Sequence, residues 1–249
     1  MSEKKLLSKN KGRLKEEGIK SIHGTIIIAE EQKNGRGRYP ERKWISPQGG
    51  IWLSIILVPK INAAQSAFLS FISAISVCDT IVEKTNLNPK IRWPNDILIQ
   101  GRKVSGIIVN VSTEQEKINY AIIGIGINVN VDSSRIVGAF VDNAENNTNS
   151  DACTREWGIT TLKEERYGKQ VDIVCMMKYL IEKLEYYYNQ LERQGTHNIR
   201  NEWKKRADTL GRLVKVRKQD GMIEGIALDV DGDGVLLVKT KDGNIQQVI

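Results

Sequence analysis

Two very short connections constrain this chain more than any other feature. The apolar runs Ile97–Gln100, Val104–Ser112 and Ile118–Asn128 are joined only through Gln100-Gly101-Arg102 and Glu114-Gln115-Glu116. A parallel crossover needs a dozen or more residues, so short Gly- or charge-containing turns of this kind favour a mixed sheet over regular βαβ repeats. Runs at Thr25–Glu30 and Ile51–Val58 also read as strands, while Ala63–Thr85 and Val171–Gln194 carry apolar positions at helical spacing. The expected class is α+β with a mixed sheet.

After Asp208 the texture changes. Short alternating runs, Arg212–Lys218, Met222–Leu228, Val235–Thr240 and Ile245–Ile249, are punctuated by Asp220-Gly221, Asp233-Gly234 and Asp242-Gly243. This pattern predicts a small β-barrel. The expected division is a larger domain over 1–208 and a small β domain over 209–249. The stretch from Asp132 to Gly158, rich in Asn, Asp and Ser, reads as a loop with no assigned role.

The chain carries 37 Lys and Arg against 30 Asp and Glu, a net +7 that favours anionic partners. Cys78, Cys153 and Cys175 have no metal-ligand spacing, and only His23 and His197 are available, which points to a reducing compartment without a structural metal. The charged N-terminus lacks a secretory apolar segment. The run Ala63–Val82 contains Gln65, several serines and Asp79, so it reads as a buried helix and not a membrane span. A cytoplasmic location is the expectation.

Three stretches carry the chemistry: Gly35-Arg36-Gly37-Arg38, Arg92-Trp93-Pro94-Asn95-Asp96 running on to Lys103-Val104-Ser105-Gly106, and Gly124-Ile125-Gly126-Ile127-Asn128-Val129-Asn130. Each joins small residues, which let backbone approach a ligand, to Arg, Lys or Asn side chains that donate to anionic oxygens. A phosphate-bearing substrate is the inference. Neither glycine loop completes GxGxxG, and there is no GxxxxGK[ST] and no GxSxG. Asp229-Val230-Asp231-Gly232-Asp233-Gly234 imitates the start of a calcium loop, but Thr240 stands where the bidentate Glu would be, and a hairpin turn is the better reading. With 6% aromatic residues, an RNA-binding surface of interleaved aromatic and basic side chains has little support.

In order and spacing these three stretches, with Trp44-Ile45-Ser46-Pro47, Gly49–Ser54 and Glu202-Trp203-Lys204-Lys205, resemble the biotin protein ligases over most of residues 8–249. The resemblance implies a catalytic domain like the class II aminoacyl-tRNA synthetases followed by an SH3-like domain. It implies ATP, biotin and Mg2+ as reactants, biotinyl-5'-AMP as intermediate, and a carrier-domain lysine of an acetyl-CoA or pyruvate carboxylase as acceptor. It casts Lys103 and Arg38 as catalytic. Ser8, Asn10, Gln32, Gly35, Arg36, Arg38, Trp44, Lys103 and Gly106 would hold biotin. Arg38, Arg42, Trp44, Asn95, Asp96, Lys103 and Asn128 would hold ATP, with Asp96 assisting magnesium and Trp93 a second apolar wall. Residues Arg36 to Arg42 would form a lid.

The chain departs from the family pattern at Lys9, where Thr is usual, at Arg92, where Lys is usual, and in ending at Ile249 before a further acidic tail. The resemblance is to the monofunctional type, without sequence-specific DNA binding or membrane attachment, and a homodimer remains open. A lipoate-type acyl ligase or transferase on the same scaffold, or a non-catalytic biotin-sensing relative, are the alternatives. A ureido ring needs paired donors and acceptors where a dithiolane needs apolar contact.

Overall fold

The structure, a computed structural model, describes residues 21–38, 43–136, 158–218 and 221–248. Ser8, Lys9, Asn10 and Arg42, the Arg36–Arg42 lid beyond Arg38, and most of the 132–158 loop therefore lie outside the described residues. Six strands, β1 (Thr25–Ala29), β2 (Ile51–Leu57), β3 (Lys90–Arg92), β4 (Asp96–Ile99), β5 (Arg102–Glu114) and β6 (Lys117–Ile127), form one sheet in the order β1-β2-β6-β5-β4-β3. All five pairings are antiparallel; among the described residues, parallel partners are limited to the single bridges Ile91↔Ala207 and Lys103↔Ile159. The β4–β5 turn places Gln100 and Gly101 at φ 50° and 79°, and the β5–β6 turn places Gln115 at φ 55°. Left-handed backbone at these points is what lets so few residues reverse the chain.

One face of the sheet is covered by helices. After the 3-10 turn Ala63–Ser66 come α1 (Ala67–Thr85), the single turn α2 (Leu162–Glu165), α3 (Ile173–Gln194) and α4 (Thr196–Arg206). Ile51, Leu53, Ile55 and Leu57 of β2 alternate onto this face and belong to the same buried core as Phe68, Phe71, Ile72 and Ile75 of α1. The segment Ala63–Thr85 is long and apolar enough to cross a membrane, but most of it is buried inside the protein. Its buried hydroxyls are satisfied locally: Ser73, Ser76 and Thr80 each donate to the carbonyl four residues back. Phe71 stacks on Trp203 of α4 with ring centres 4.6 Å apart and planes 12° from parallel.

Helix α4 and strand β3 have no counterpart in the sequence reading. Only Ile199 and Trp203 of α4 are buried, too few to produce an apolar period in a segment otherwise polar and basic.

The C-terminal unit is a four-stranded antiparallel sheet, β7 (Leu213–Lys218), β8 (Gly221–Val230), β9 (Leu236–Thr240) and β10 (Ile245–Val248), in the order β10-β9-β8-β7. Asp229 ties it to α4 through Arg200 (3.0 Å) and Lys204 (2.8 Å). In the turn that imitates a calcium loop, the Asp231 carboxylate accepts from the backbone N–H groups of Asp233 and Val235, as a hairpin turn requires.

Candidate active site

The site lies on the sheet face away from the helices and can be traced as one line of paired residues. Ala29 pairs with Trp52, Trp52 with Gly126, Gly126 with Gly106, Gly106 with Asp96, and Asp96 with Arg92. Directly opposed residues of an antiparallel pair share a face, so these six, one from each strand, present a single row. Its centre is two glycines side by side, flanked by an indole on one hand and by a carboxylate and a guanidinium on the other.

Lys103 reaches this row because of a β-bulge. Ile97 pairs with Ser105 and the next residue, Leu98, pairs with Lys103, so β5 advances two residues where β4 advances one. Simple alternation from Ser105, whose β6 partner Ile127 belongs to the helix-side core, would place Lys103 on the helix side as well. The extra residue at Val104 reverses that and turns Lys103 onto the row. Lys103 Nζ lies 2.6 Å from Asp96 Oδ1, while Arg92 holds Asp96 Oδ2 at 2.7 Å. Burial pushes the Asp96 carboxyl upward, but Lys103 and Arg92 outweigh it and hold the group below the usual carboxylate range.

Trp44 is seated on the glycines. A methyl on Gly126 would fall 2.5 Å from Trp44 Nε1 and 2.7 Å from Cε2, and one on Gly106 would fall 3.2 Å from the ring and 3.4 Å from Lys103 Nζ. No side chain larger than hydrogen fits beneath the indole at Gly126. Lys103 Nζ also stands 5.2 Å from the centre of the Trp44 ring, a cation–π contact, and Trp52 meets Trp44 edge-on at 6.2 Å. With Trp44 so placed, the cavity bounded by Trp44, Ile45, Lys103, Asn128, Ile136 and Ile159 measures about 20 Å³. That space admits one water and no ring system. The Trp44 Nε1–H is buried without an acceptor among the described residues.

Asn128 donates its amide to the Thr160 carbonyl at 3.2 Å, and its Oδ1 is buried without a partner among the described residues. The wall opposite Trp44 is the segment from Gly158 to Thr161. It pairs with β5 through Lys103 N to Gly158 O (3.2 Å) and Thr160 N to Lys103 O (3.0 Å). The buried Glu165 carboxylate fixes this segment by accepting from Thr160 Oγ1 at 2.6 Å and Arg102 at 2.7 Å. Ile45, Ile136, Ile159 and Glu165 are site residues the sequence reading missed, for they carry no motif and converge only through the sheet.

Other expected residues serve the architecture. The Gln32 amide oxygen accepts from Ser46 Oγ at 2.7 Å. Gly35 packs against the Trp44 carbonyl, where a methyl would fall 2.1 Å from oxygen, and its own carbonyl takes the Trp44 N–H. Its smallness is thus needed for the loop to close on itself. Arg36 bridges to Lys43 across that loop, with Arg36 and Arg38 exposed. Asn95 donates to the Ile107 carbonyl at 2.6 Å, which holds the β3–β4 turn. Asp96 has a cation on each oxygen, and no group of three His, Cys, Asp or Glu side chains able to hold a metal is present among the described residues. Trp93, expected as a wall of the biotin pocket, instead packs against the helix-side core.

The chain thus builds a helix-backed antiparallel sheet with cations set beside a glycine floor, followed by a small β unit, and it belongs to the biotin/lipoate A/B protein ligase family. The model of that family matches residues 7–128, and the biotin protein ligase C-terminal domain matches residues 209–249. The biotin--[acetyl-CoA-carboxylase] ligase of Paracoccus denitrificans is 30% identical over 227 residues, 90% of this chain and 86% of that protein. The bifunctional ligase/repressor BirA of Bacillus subtilis is 32% identical over 221 residues, and the chain spans 63% of its length. Among solved structures, the biotin protein ligase of Aquifex aeolicus in complex with biotin and ATP superposes with a TM-score of 0.70 at 27% identity, covering 91% of this chain and 86% of that one.

Proposed function

We propose that this chain adenylates biotin with ATP and transfers the biotinyl group to a lysine of a carrier domain. The observation that carries this reading is the bulge-placed Lys103, held with Asp96 and Arg92 beside the paired glycines. A carboxylate and a triphosphate repel each other, and negative charge grows on the phosphoryl oxygens and the departing pyrophosphate. A fixed cation at their meeting point lowers both barriers. One biotin carboxylate oxygen forms a bond to the α-phosphorus as the bond from that phosphorus to the pyrophosphate oxygen breaks. The neutral carrier amine then bonds to the acyl carbon, the C–O bond breaks with its electron pair leaving on AMP, and the proton shed by the new amide nitrogen passes to solvent.

Each residue of the row has a part in this scheme. Gly106 and Gly126 provide a floor on which the biotin rings lie once Trp44 moves aside, since the present cavity is far too small for them. Leaving an indole N–H buried and unpaired costs about 1–3 kcal/mol, so Trp44 gives up its seat readily. Asp96 holds the Lys103 ammonium toward the ligand with one oxygen and keeps Arg92 on the other, so the buried carboxylate stays paired throughout. The unpartnered Asn128 Oδ1 suits an N–H of the ligand, and Arg36, Arg38 and Arg42 supply guanidinium forks for phosphate oxygens. Magnesium would arrive with the phosphates of ATP, contributing charge neutralisation, because Asp96 is committed to two cations.

The names of the Paracoccus and Aquifex relatives support biotin over lipoate, and the match of residues 209–249 to the biotin protein ligase C-terminal domain supports the same choice. Acetyl-CoA carboxylase is the acceptor named for the Paracoccus relative, and its carrier domain is the acceptor proposed here. Cytoplasm is the proposed compartment, in keeping with the unbridged Cys78 and Cys175. The test is exchange of labelled pyrophosphate into ATP: biotin should support it and lipoate should not. Exchange supported by lipoate alone would move the assignment to lipoate activation.

A further inference from the structure

The turn between β3 and β4 carries two of the three members of the Arg92–Asp96–Lys103 system. Arg92 and Asp96 close it, and Trp93, Pro94 and Asn95 form its tip. Each tip residue is pinned from a different direction. Ser70 of α1 donates to the Pro94 carbonyl at 3.2 Å, and Asn95 exchanges two bonds with Ile107 of β5, at 2.6 and 3.0 Å. Trp93 N–H donates to Thr209 Oγ1 at 2.8 Å.

Thr209 is the first residue of the segment that matches the C-terminal domain, and it is 5% exposed. It arrives at Trp93 because residues 207–209 run beside the edge strand β3, with Ala207 bridged to Ile91 and Asp208 N–H donating to the Ile91 carbonyl at 2.7 Å. The small unit thus begins with a hydroxyl set against the hairpin that carries the site's charges. Edge strands have a free row of backbone groups, and here one such N–H, adjacent to Arg92, is taken by a side chain from outside the catalytic sheet.

We propose that Thr209 is a positioning residue for adenylation: by accepting from Trp93 N–H it sets the hairpin closed by Arg92 and Asp96, and through Asp96 it sets the Lys103 ammonium. The inference rests on the adenylation reading. It gives the C-terminal unit a mechanical link to the first chemical step. Losing the acceptor leaves Trp93 N–H unpaired beneath the hairpin, which loosens Arg92 and Asp96 and broadens the positions open to the Lys103 ammonium that Asp96 holds. Misplacement of a preorganised cation acts on the rate and leaves ground-state binding of biotin largely alone.

The test compares Thr209→Val, which keeps the shape and removes the acceptor, with Thr209→Ser, which restores the hydroxyl. In biotin-dependent pyrophosphate exchange, Thr209→Val should lower kcat about tenfold with KM for biotin within about twofold, and Thr209→Ser should recover most of the loss. A valine variant with unchanged kcat, or a loss that serine fails to recover, overturns the proposal. If valine prevents folding, Thr209→Ala carries the same comparison. Amide hydrogen exchange needs no activity and separates this inference from the functional reading. Exchange at Trp93, Asn95 and Asp96 should quicken about tenfold in the valine variant while the buried amides of α4 keep their rates. Unchanged exchange at the hairpin overturns the positioning role even in an active enzyme, whereas quickened exchange in a protein inactive with both biotin and lipoate upholds the coupling and sinks the adenylation reading.

Discussion

Replacing Lys103 by alanine separates the chemistry from the scaffold. The substitution removes an ammonium 2.6 Å from Asp96 Oδ1 and 5.2 Å from the Trp44 ring centre, while Asp96 retains Arg92 at 2.7 Å. Because one cation stays on the carboxylate, the stability loss should be about 1–2 kcal/mol, below the cost of stranding a buried charge. For a chain of this size that corresponds to a drop in Tm of about 2–8 °C, small enough to leave the protein folded at assay temperature. Loss of one preorganised donor to a developing anion typically costs ~10²–10³ in rate, so adenylate formation should fall by about that factor. Transfer from pre-made biotinyl-AMP to a carrier domain should suffer less, since the phosphoryl bond is already made. Single-turnover measurement of each half-reaction, on protein with native circular dichroism, is the assay. An adenylation rate within about threefold of the parent would remove Lys103 from the mechanism and refute the argument built on the bulge.

Three further outcomes are expected. Gly126→Ala puts a methyl 2.5 Å from Trp44 Nε1, so the indole must leave its seat and the floor is raised; biotin affinity by calorimetry should fall at least about tenfold, and an unchanged Kd would show that biotin lies elsewhere. Arg38→Gly should release biotinyl-AMP to solution and label bystander lysines, with an adenylate half-life equal to the parent's counting against this part of the scheme. The Asp96 carboxyl is depressed in the folded state, so the stability it contributes is present in full above the ordinary value of 3.8 and is lost as pH falls through the depressed value. The Tm advantage of the parent over Asp96→Asn should accordingly be constant at neutral pH and shrink only in that acid range; an advantage that disappears near pH 6 would implicate some other group.

What was legible in the sequence is what local rules control. The β4–β5–β6 order follows from turns whose residues sit at φ 50°, 79° and 55°, and α1 and α3 follow from sustained apolar periodicity. Lys103, Gly106 and Asn128 were named from their motifs, and the structure sets Lys103 beside Gly106 and lines one cavity with Lys103 and Asn128. The direction in which Lys103 points was not legible, since plain alternation from Ser105 turns it into the core and the bulge that corrects this is a property of the pairing with β4. Nor was the seat of Trp44, which depends on two glycines brought together from β5 and β6 and matched to a loop far back in the chain. Trp93 was misassigned for the same kind of reason: the β3–β4 turn faces α1 and residue 209, and nothing near it in sequence says so. Helix α4 escaped notice because its burial rests on Ile199 and Trp203 alone.

The central claim, that the row from Trp52 to Arg92 is a biotin-adenylating site, is tested most directly by mass spectrometry of an isolated biotin carrier domain incubated with this protein, ATP, magnesium and an equimolar mixture of biotin and lipoate. The account predicts a single biotinyl group on the carrier lysine, absent without ATP and greatly slowed in Lys103→Ala. A carrier that gains a lipoyl group instead, or is biotinylated as fast by the Lys103→Ala variant, would contradict it.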